Sequence, residues 1–452
     1  MKRLGLYKDN LVNFYEKNKK NIGEEFIVLD SPPINKLSEY SYLIFDFSNT
    51  FSFRNGEVYE NTVKIEGDYW DKIREILKDV PEDYRENDFF SGGVLGLVSY
   101  DYNRFLEKIE NISLDDLKLP QLHFLVPKHI IIKNEKTMEL FEIDFYEKNI
   151  EWSLEENYKK PEIINREISW DDLNKFEVNI KKEDFIEICN RAKNYIKEGD
   201  IFQVNLSQRF GATIDNGEAL ELYKILREIN PSPFASFVSL DDFKLISQSP
   251  ERLVRLKDGI ADTRPIAGTR RLIKDNEERN EELAKELKND TKECAEHVML
   301  VDLERNDIGK LSEFGTVEVD ELMVIERYSH VMHLVSNVKG KIRKEYDAID
   351  LLKAMFPGGT ITGAPKIRSM EIIEELEPTR RGFYTGSLGF IGYDGNMDFN
   401  IIIRSFVEVN NKAYFQVGAG IVYDSIPERE YKETINKARA MVLAYENLRK
   451  SN

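Results

Sequence analysis

Carboxylates at helical spacing are the first residues in this chain that could do chemistry. Glu293 and Glu296 lie three apart in TKECAEHVML, and Glu430, Glu433 and Lys437 fall at i, i+3 and i+7 in PEREYKETINKA, so each set shares one helical face. Such faces are ordinarily solvated stripes. Brought together, they would form an oxygen-only cage for a hard cation, which suits Mg²⁺. Glu296 abuts the apolar run Val298 to Val301, which draws that end of its helix inward. Glu251 follows Ser249-Pro250 at the end of an apolar strand, LISQSPERLVRL. A carboxyl there is usually solvated, but one that donates a proton at neutral pH needs a raised pKa, which burial beside an anionic substrate would supply. The stretch Phe356 to Pro378, FPGGTITGAPKIRSMEIIEELEP, runs a glycine-rich loop into a helix. Gly358, Gly359 and Gly363 permit φ > 0, and Pro365 suits the first helical turn, so backbone N–H groups beside Thr360 and Thr362 would face an anion. No P-loop pattern can be laid on it. His330 and His333 sit in an apolar strand-like run, where a histidine is ordinarily a satisfied core group. Period two places Arg404 with Ile402 and Phe406 on an apolar face, so its guanidinium calls for a buried anion.

The elements that must position these groups belong to a large globular chain. With 452 residues, 41% hydrophobic and 14 prolines, it can bury a sizeable core in two parts. The net charge of −18 disfavours nucleic acid and anionic membrane surfaces as partners. An anionic substrate must therefore be captured by a local site. Cys189 and Cys294 both lie in helical patterns without zinc-ligand spacing, which points to a reducing cytoplasm. The N-terminus has no continuous apolar run, and no run elsewhere is long enough to span a bilayer.

In chain order, residues 1 to about 145 alternate short apolar runs with turn residues and read as strand-rich, with Gly92, Gly93 and Gly96 marking a tight approach. Glu147 to Trp170 is polar and reads as a linker or surface crossing, with a solvated helix as the alternative for WSLEENYKK. This sets the expected parts at 1–150, a 151–175 linker and 176–452. A helix is expected from Lys181 to its stop at Gly199, then a strand in GDIFQVNLSQRF, a long charged helix from Asn276 to about Asn306, and a last helix opened by Pro427. After the central loop, FYTGSLGFIGYDGNMDFNIIIRSFVEVNNKAYFQVGAGIV reads as an antiparallel meander turning at Asp394-Gly395 and Asn410-Asn411.

Taken together, PGGTITGAPK, GDIFQVNLSQ, SPE, AEH, VMHLVS and YKETINKA resemble the signatures of the chorismate-utilising enzymes, the family of anthranilate synthase component I and aminodeoxychorismate synthase component I. The resemblance is dense from Gly199 to Ala440. It implies a mixed α/β (α+β) fold, with large, mostly antiparallel sheets packed centrally, helices outside, and the N-terminal part interleaved with the catalytic part.

Residue by residue, it implies Glu251 as the proton-transfer group at the chorismate C4 hydroxyl, with His333 nearby and Lys437 on the last helix. Glu296 and Glu433 would be the Mg²⁺ ligands, with Glu293 and Glu430 as the outer pair. Tyr384 and Arg404 would hold the enolpyruvyl carboxylate, backbone at Gly418, Ala419 and Gly420 the ring carboxylate, and Thr360 would also bind substrate. His330 is left structural. In DTRPIAGTRR, Ala267 occupies the position where many aminodeoxychorismate synthases carry a nucleophilic lysine and anthranilate synthases an alanine; a methyl group forms no covalent adduct. The tryptophan pocket of feedback-inhibited anthranilate synthases is only partly matched: VLDS remains, Ser38 to Tyr42 holds no Gly-Arg pair, and Ala235 stands where methionine is usual. The expected activity is amination of chorismate to 4-amino-4-deoxychorismate. Anthranilate formation is the alternative, ahead of isochorismate or salicylate chemistry or a non-catalytic relative. Neither cysteine has the nucleophile turn of a glutamine amidotransferase, so ammonia is expected from a separate glutaminase subunit.

Overall fold

A computed structural model describes the chain apart from residues 34–38, 83, 147, 149, 275, 328–330 and 452; of residues 170, 171 and 451 it describes the backbone alone. His330 and Ser38 therefore lie outside the described residues.

Two antiparallel sheets grow from one long strand pair, Tyr40–Arg54 with Leu122–Asn134. Both strands are rich in β-branched and aromatic residues; Leu122–Asn134 is buried along nearly its whole length, and Tyr40–Arg54 chiefly from Ser41 to Phe45. A register shift between Phe47 and Asn49 and a positive φ at Asp46 bend the pair midway, so each end serves a different sheet. From one end the order runs through Phe26–Asp30, Phe234–Ser239, Lys244–Ser249, Ser405–Val409 and Lys412–Ile421 to Gln203–Thr213. From the other it runs through Gly93–Val98, Ser387–Gly392, Met397–Asn400, Arg252–Lys257 and Ile260–Thr263 to Val331–Lys341, with Glu318–Arg327 beyond. The mixed α/β fold with central antiparallel sheets is thus what the sequence implies, and early strands do interleave with late ones.

The core has two main bodies. Ile27, Ile44, Leu95, Ile130, Leu245 and Leu388 fill the space between the sheets. Helices Lys182–Glu198, Glu218–Ile229 and Pro427–Ser451 pack through Phe185, Leu222, Ile435 and Val442 into a second cluster with Phe210 and Phe415. Gly93 and Gly96 allow the expected close approach: a Cβ at Gly93 would lie 2.1 Å from the Ile391 carbonyl oxygen, and one at Gly96 2.3 Å from the Phe124 ring.

One local reading is narrowed and two change. Residues 150–169 carry no helix, and the segment is laid over the core by Trp152, Leu154, Ile163 and Ile168. The charged segment after Asn276 is two helices, Glu277–Asn289 and Thr291–Gly309, because the Asp290 side chain accepts the Lys292 and Glu293 N–H groups and so starts a new helix. Helices Leu11–Ile22 and Tyr69–Lys78 interrupt the strand-rich N-terminal part. Among the described residues, no helix is long and apolar enough to cross a membrane.

Candidate active site

Two of the direct passages from one sheet to the other each carry a candidate functional side chain. Ser249-Pro250-Glu251 links Lys244–Ser249 to Arg252–Lys257, and Ile401 to Arg404 links Met397–Asn400 to Ser405–Val409. The two crossovers lie side by side: the Ile401 N–H donates to the Glu251 carbonyl at 3.0 Å and the Gln248 N–H to the Arg404 carbonyl at 3.2 Å. Arg404 is therefore not on a continuous strand, as its period-two position suggested. It has φ 53° and is half-buried at the bend, whereas Ile402 and Phe406 are fully buried.

Glu251 is 7% exposed, and Thr360 Oγ1 donates to its Oε1 at 2.8 Å. Burial pushes its carboxyl up to about 7, against the opposing pull of Thr360, Arg404 and Lys437. Both charge states are then populated near neutrality, as a proton donor and acceptor requires.

The loop beneath it differs in detail from its sequence reading. Of its three glycines, Gly363 alone takes a positive φ, 143°. Gly358 and Gly359 are required for close approach, with Cβ positions 2.9 Å from Ile401 Cδ1 and 2.2 Å from Leu303 Cδ2. Thr362 is fully buried and its hydroxyl donates to the Gly358 carbonyl, so it stays within the loop, while Thr360 faces Glu251. Pro365 caps helix Lys366–Leu376 from just outside the first turn.

His333 is buried on Val331–Lys341, opposite a bulge at Gly268 between Ala267 and Thr269. Its Nδ1 lies 3.1 Å from the Gly268 carbonyl and 3.0 Å from Thr269 Oγ1. A carbonyl only accepts, so the ring proton belongs on Nδ1 and Nε2 carries the lone pair. Burial, then the Arg404 charge, push its pKa down to about 4, so the ring is neutral at pH 7. Gly268 also brings helix Thr291–Gly309 in: a Cβ there would lie 3.0 Å from Glu293 Oε2. Ala267 is thus next to the residue that touches both His333 and Glu293.

Lys437 Nζ donates to the Gly418 carbonyl at 2.9 Å and pairs with Glu433 at 2.8 Å. A Cβ at Gly418 would lie 2.9 Å from the Tyr384 hydroxyl and 2.3 Å from Asn205 Oδ1, which is why glycine is needed where these groups converge. Ser405–Val409 pairs with Lys412–Ile421 only as far as Phe415, leaving that edge of Gln416–Ile421 without a partner strand among the described residues. Backbone at Gly418 to Gly420 can therefore meet an anion.

The acidic faces come together as electrostatic neighbours. Burial, then Glu293 and Glu433, raise the Glu296 carboxyl against Lys292; burial, then Glu433, raise Glu430 against Ser425, Lys292 and Lys437. Glu433 turns to Lys437 and Glu296 to Lys292, at 3.7 Å in the latter pair. Among the described residues, no three His, Cys, Asp or Glu side chains are gathered closely enough to hold a metal. The donor set nevertheless fits a hard divalent cation: it is all carboxylate, and its mutual repulsion is what a cation would relieve.

Two buried groups escaped the sequence reading. Arg381 donates to the Ile361 carbonyl at 3.0 Å and the Asn205 carbonyl at 2.7 Å, tying the glycine-rich loop to Gln203–Thr213. Glu304 lies on the apolar stripe of its helix with His297, Leu300, Val301 and Ile308, and that misplaced charge was the legible signal. Apart from these, a cavity of about 180 Å³ lies near Ser31, Tyr42, Phe90, Pro233 and Ala235, and Glu251, His333, Thr360, Arg404 and Lys437 are not among its lining residues. It occupies the region where the resemblance places the partly matched tryptophan pocket.

The chain is similar to known proteins over most of its length. Residues 24–443 match the family of chorismate binding enzymes. The chain is 48% identical over 366 residues to aminodeoxychorismate synthase component 1 of Bacillus subtilis, covering 79% of this chain and 77% of that protein. It is 40% identical over 452 residues to anthranilate synthase component 1 of Aquifex aeolicus, covering 94% and 90%. The crystal structure of anthranilate synthase component I from Streptococcus pneumoniae superposes with a TM-score of 0.78 at 36% identity, covering 92% of this chain and 93% of that one.

Proposed function

This chain belongs to the family of chorismate binding enzymes, and from that premise we propose that it aminates chorismate at C4, as the first component of an aminodeoxychorismate synthase. The observation that carries the reaction type is Glu251, a buried carboxyl poised near pH 7 and held by Thr360 beside Arg404 and Lys437. Glu251 protonates the C4 hydroxyl, which departs as water while ammonia adds at C2. The ammonium so formed returns a proton to the carboxylate. A second ammonia then adds at C4 while the C2 amine takes the proton back from Glu251 and leaves as ammonia. The new C4 ammonium returns a proton to the carboxylate, so one ammonia is consumed and one water released overall. Arg404 and Tyr384 hold the enolpyruvyl carboxylate, and backbone at Gly418 to Gly420 receives the ring carboxylate. His333, neutral with its proton on Nδ1, offers Nε2 as an acceptor and adds no charge beside Arg404. Glu296 and Glu433, backed by Glu293 and Glu430, would hold Mg²⁺, which would supply positive charge for the substrate carboxylate.

The C4 product is favoured by the 48% identity to the Bacillus subtilis enzyme. That protein and the anthranilate synthases are named as component 1, which supports a separate glutaminase subunit that delivers ammonia. Anthranilate formation is the second reading, favoured by Ala267, which excludes a covalent lysine route, and by the cavity beside Ala235. Incubating the chain with chorismate, Mg²⁺ and ammonium, then identifying the product by mass and fluorescence, decides between them. 4-Amino-4-deoxychorismate with minor leakage to the 2-amino product is expected. Anthranilate alone, with inhibition by tryptophan, would establish the second reading.

A further inference from the structure

Helix Thr291–Gly309 brings to the glycine-rich loop a carboxyl that the chemistry above does not use. Glu304 is 4% exposed, and its carboxyl lies against Gly359, whose backbone N–H favours the ionised form. The contact is close: a Cβ at Gly359 would lie 3.3 Å from Glu304 Oε1 and 2.2 Å from Leu303 Cδ2, so the loop is seated directly on this helical turn. The charged groups that face Glu304 are Asp307 on its own helix, Lys366 from the following helix, which pairs with Asp307, and Glu251 from the crossover. Burial, then Asp307 and Glu251, push the Glu304 carboxyl up to about 8 against Lys366 and the Gly359 N–H, so at neutral pH it is mainly the uncharged acid.

Gly359 begins the short 3₁₀ turn Gly359–Ile361. Its next residue is Thr360, whose hydroxyl donates to Glu251 Oε1 at 2.8 Å, and its last offers a carbonyl to Arg381 Nη1 at 3.0 Å. The turn is thus held at both ends by buried side chains. We propose that Glu304 is a positioning residue for Glu251: its carboxyl holds the Gly359 N–H, the turn is thereby fixed, and the turn aims the Thr360 hydroxyl at Glu251. An apolar side chain of the same size would leave the Gly359 N–H buried without a partner. A permanently charged one would act on Glu251 itself. A neutral acid satisfies the backbone and leaves the proton affinity of Glu251 to burial, Thr360, Arg404 and Lys437. This inference rests on the reading of Glu251 as the proton-transfer group.

Two substitutions separate the acceptor from the volume. Glu304→Gln keeps shape and acceptor; Glu304→Leu keeps volume alone. In the full chain, Glu304→Gln should turn over chorismate within about threefold of wild type. Glu304→Leu should lose roughly ten- to a hundredfold in kcat, with KM for chorismate changed less than about threefold. The Glu251 titration, followed by pH-difference infrared spectroscopy against a Glu251→Gln reference, should stay in place in Glu304→Gln. It should rise by about one pH unit in Glu304→Leu, because the Thr360 bond favours the ionised form. That readout needs no turnover, so it judges Glu304 even if the wild-type chain leaves chorismate untouched, a result that would count against the proposed function instead. Should Glu304→Leu not fold, Glu304→Met carries the same comparison with a more adaptable side chain. A folded acceptor-less variant with wild-type Glu251 titration overturns the proposal.

Discussion

Replacing Glu251 by glutamine should make the protein more stable and less active, and the stability gain should depend on pH. The Glu251 carboxyl has moved from the ordinary 4.5 to about 7, chiefly through burial. The folded chain therefore binds this proton more tightly than the unfolded chain does. Its contribution to stability is fully present below pH 4.5 and is lost as pH rises through 7. With each tenfold in proton affinity worth 1.36 kcal/mol, the loss between those limits is about 3 kcal/mol. A glutamine has no proton to lose, so Glu251→Gln should gain about 3 kcal/mol on wild type between pH 4.5 and pH 8. Glu304, also raised, is present in both proteins: the parts of its shift that come from burial and Asp307 cancel from the comparison, and only the part added by the Glu251 charge differs. Urea denaturation of both proteins at the two pH values measures the double difference, and chorismate turnover should fall by about 10²- to 10⁴-fold. An unchanged stability difference at the two pH values would mean that Glu251 has an ordinary proton affinity. It could not then serve as the acid at neutral pH.

The other predictions concern charge and adduct formation. Glu296→Gln and Glu433→Gln should each weaken Mg²⁺ binding, read by calorimetry, and abolish turnover, since a neutral amide gives up charge that a hard cation requires; unchanged Mg²⁺ dependence would mark both faces as solvated. Ala267→Lys should form a covalent adduct with chorismate, seen as a mass increase on the protein, and suppress leakage to the 2-amino product; an unmodified protein with unchanged products refutes this. Arg404→Lys should raise KM for chorismate by about tenfold or more, because an ammonium cannot match a carboxylate with a planar fork, and an unchanged KM would remove Arg404 from substrate binding.

Periodic features were legible in the chain itself. Glu293 with Glu296, and Glu430 with Glu433 and Lys437, share faces in the folded protein because helical spacing is a local property. Gly199 ends its helix with φ 85°, and Asn410-Asn411 turn the meander with φ 52° and 60°, as their residue types require. The position of Glu251 after an apolar strand was readable too, although its burial was not.

What the tertiary structure alone decided are the places where local period and long-range pairing disagree. Arg404 lies between Ile402 and Phe406 in a run that alternates like one strand, yet the strands on either side of it join different sheets. The backbone must bend there, and the bend carries the guanidinium to Glu251. The same switch between sheets buries Glu251 and raises its proton affinity, a consequence of neighbours such as Thr360, 109 residues away. Asp290 breaks a charged segment that composition alone reads as one helix, because one side chain outcompetes the backbone for two N–H groups. Glu304 shows the limit from the other side. Its place on an apolar stripe signals that something must satisfy it, but the partner, the Gly359 N–H, comes from a loop whose approach only the folded sheets determine.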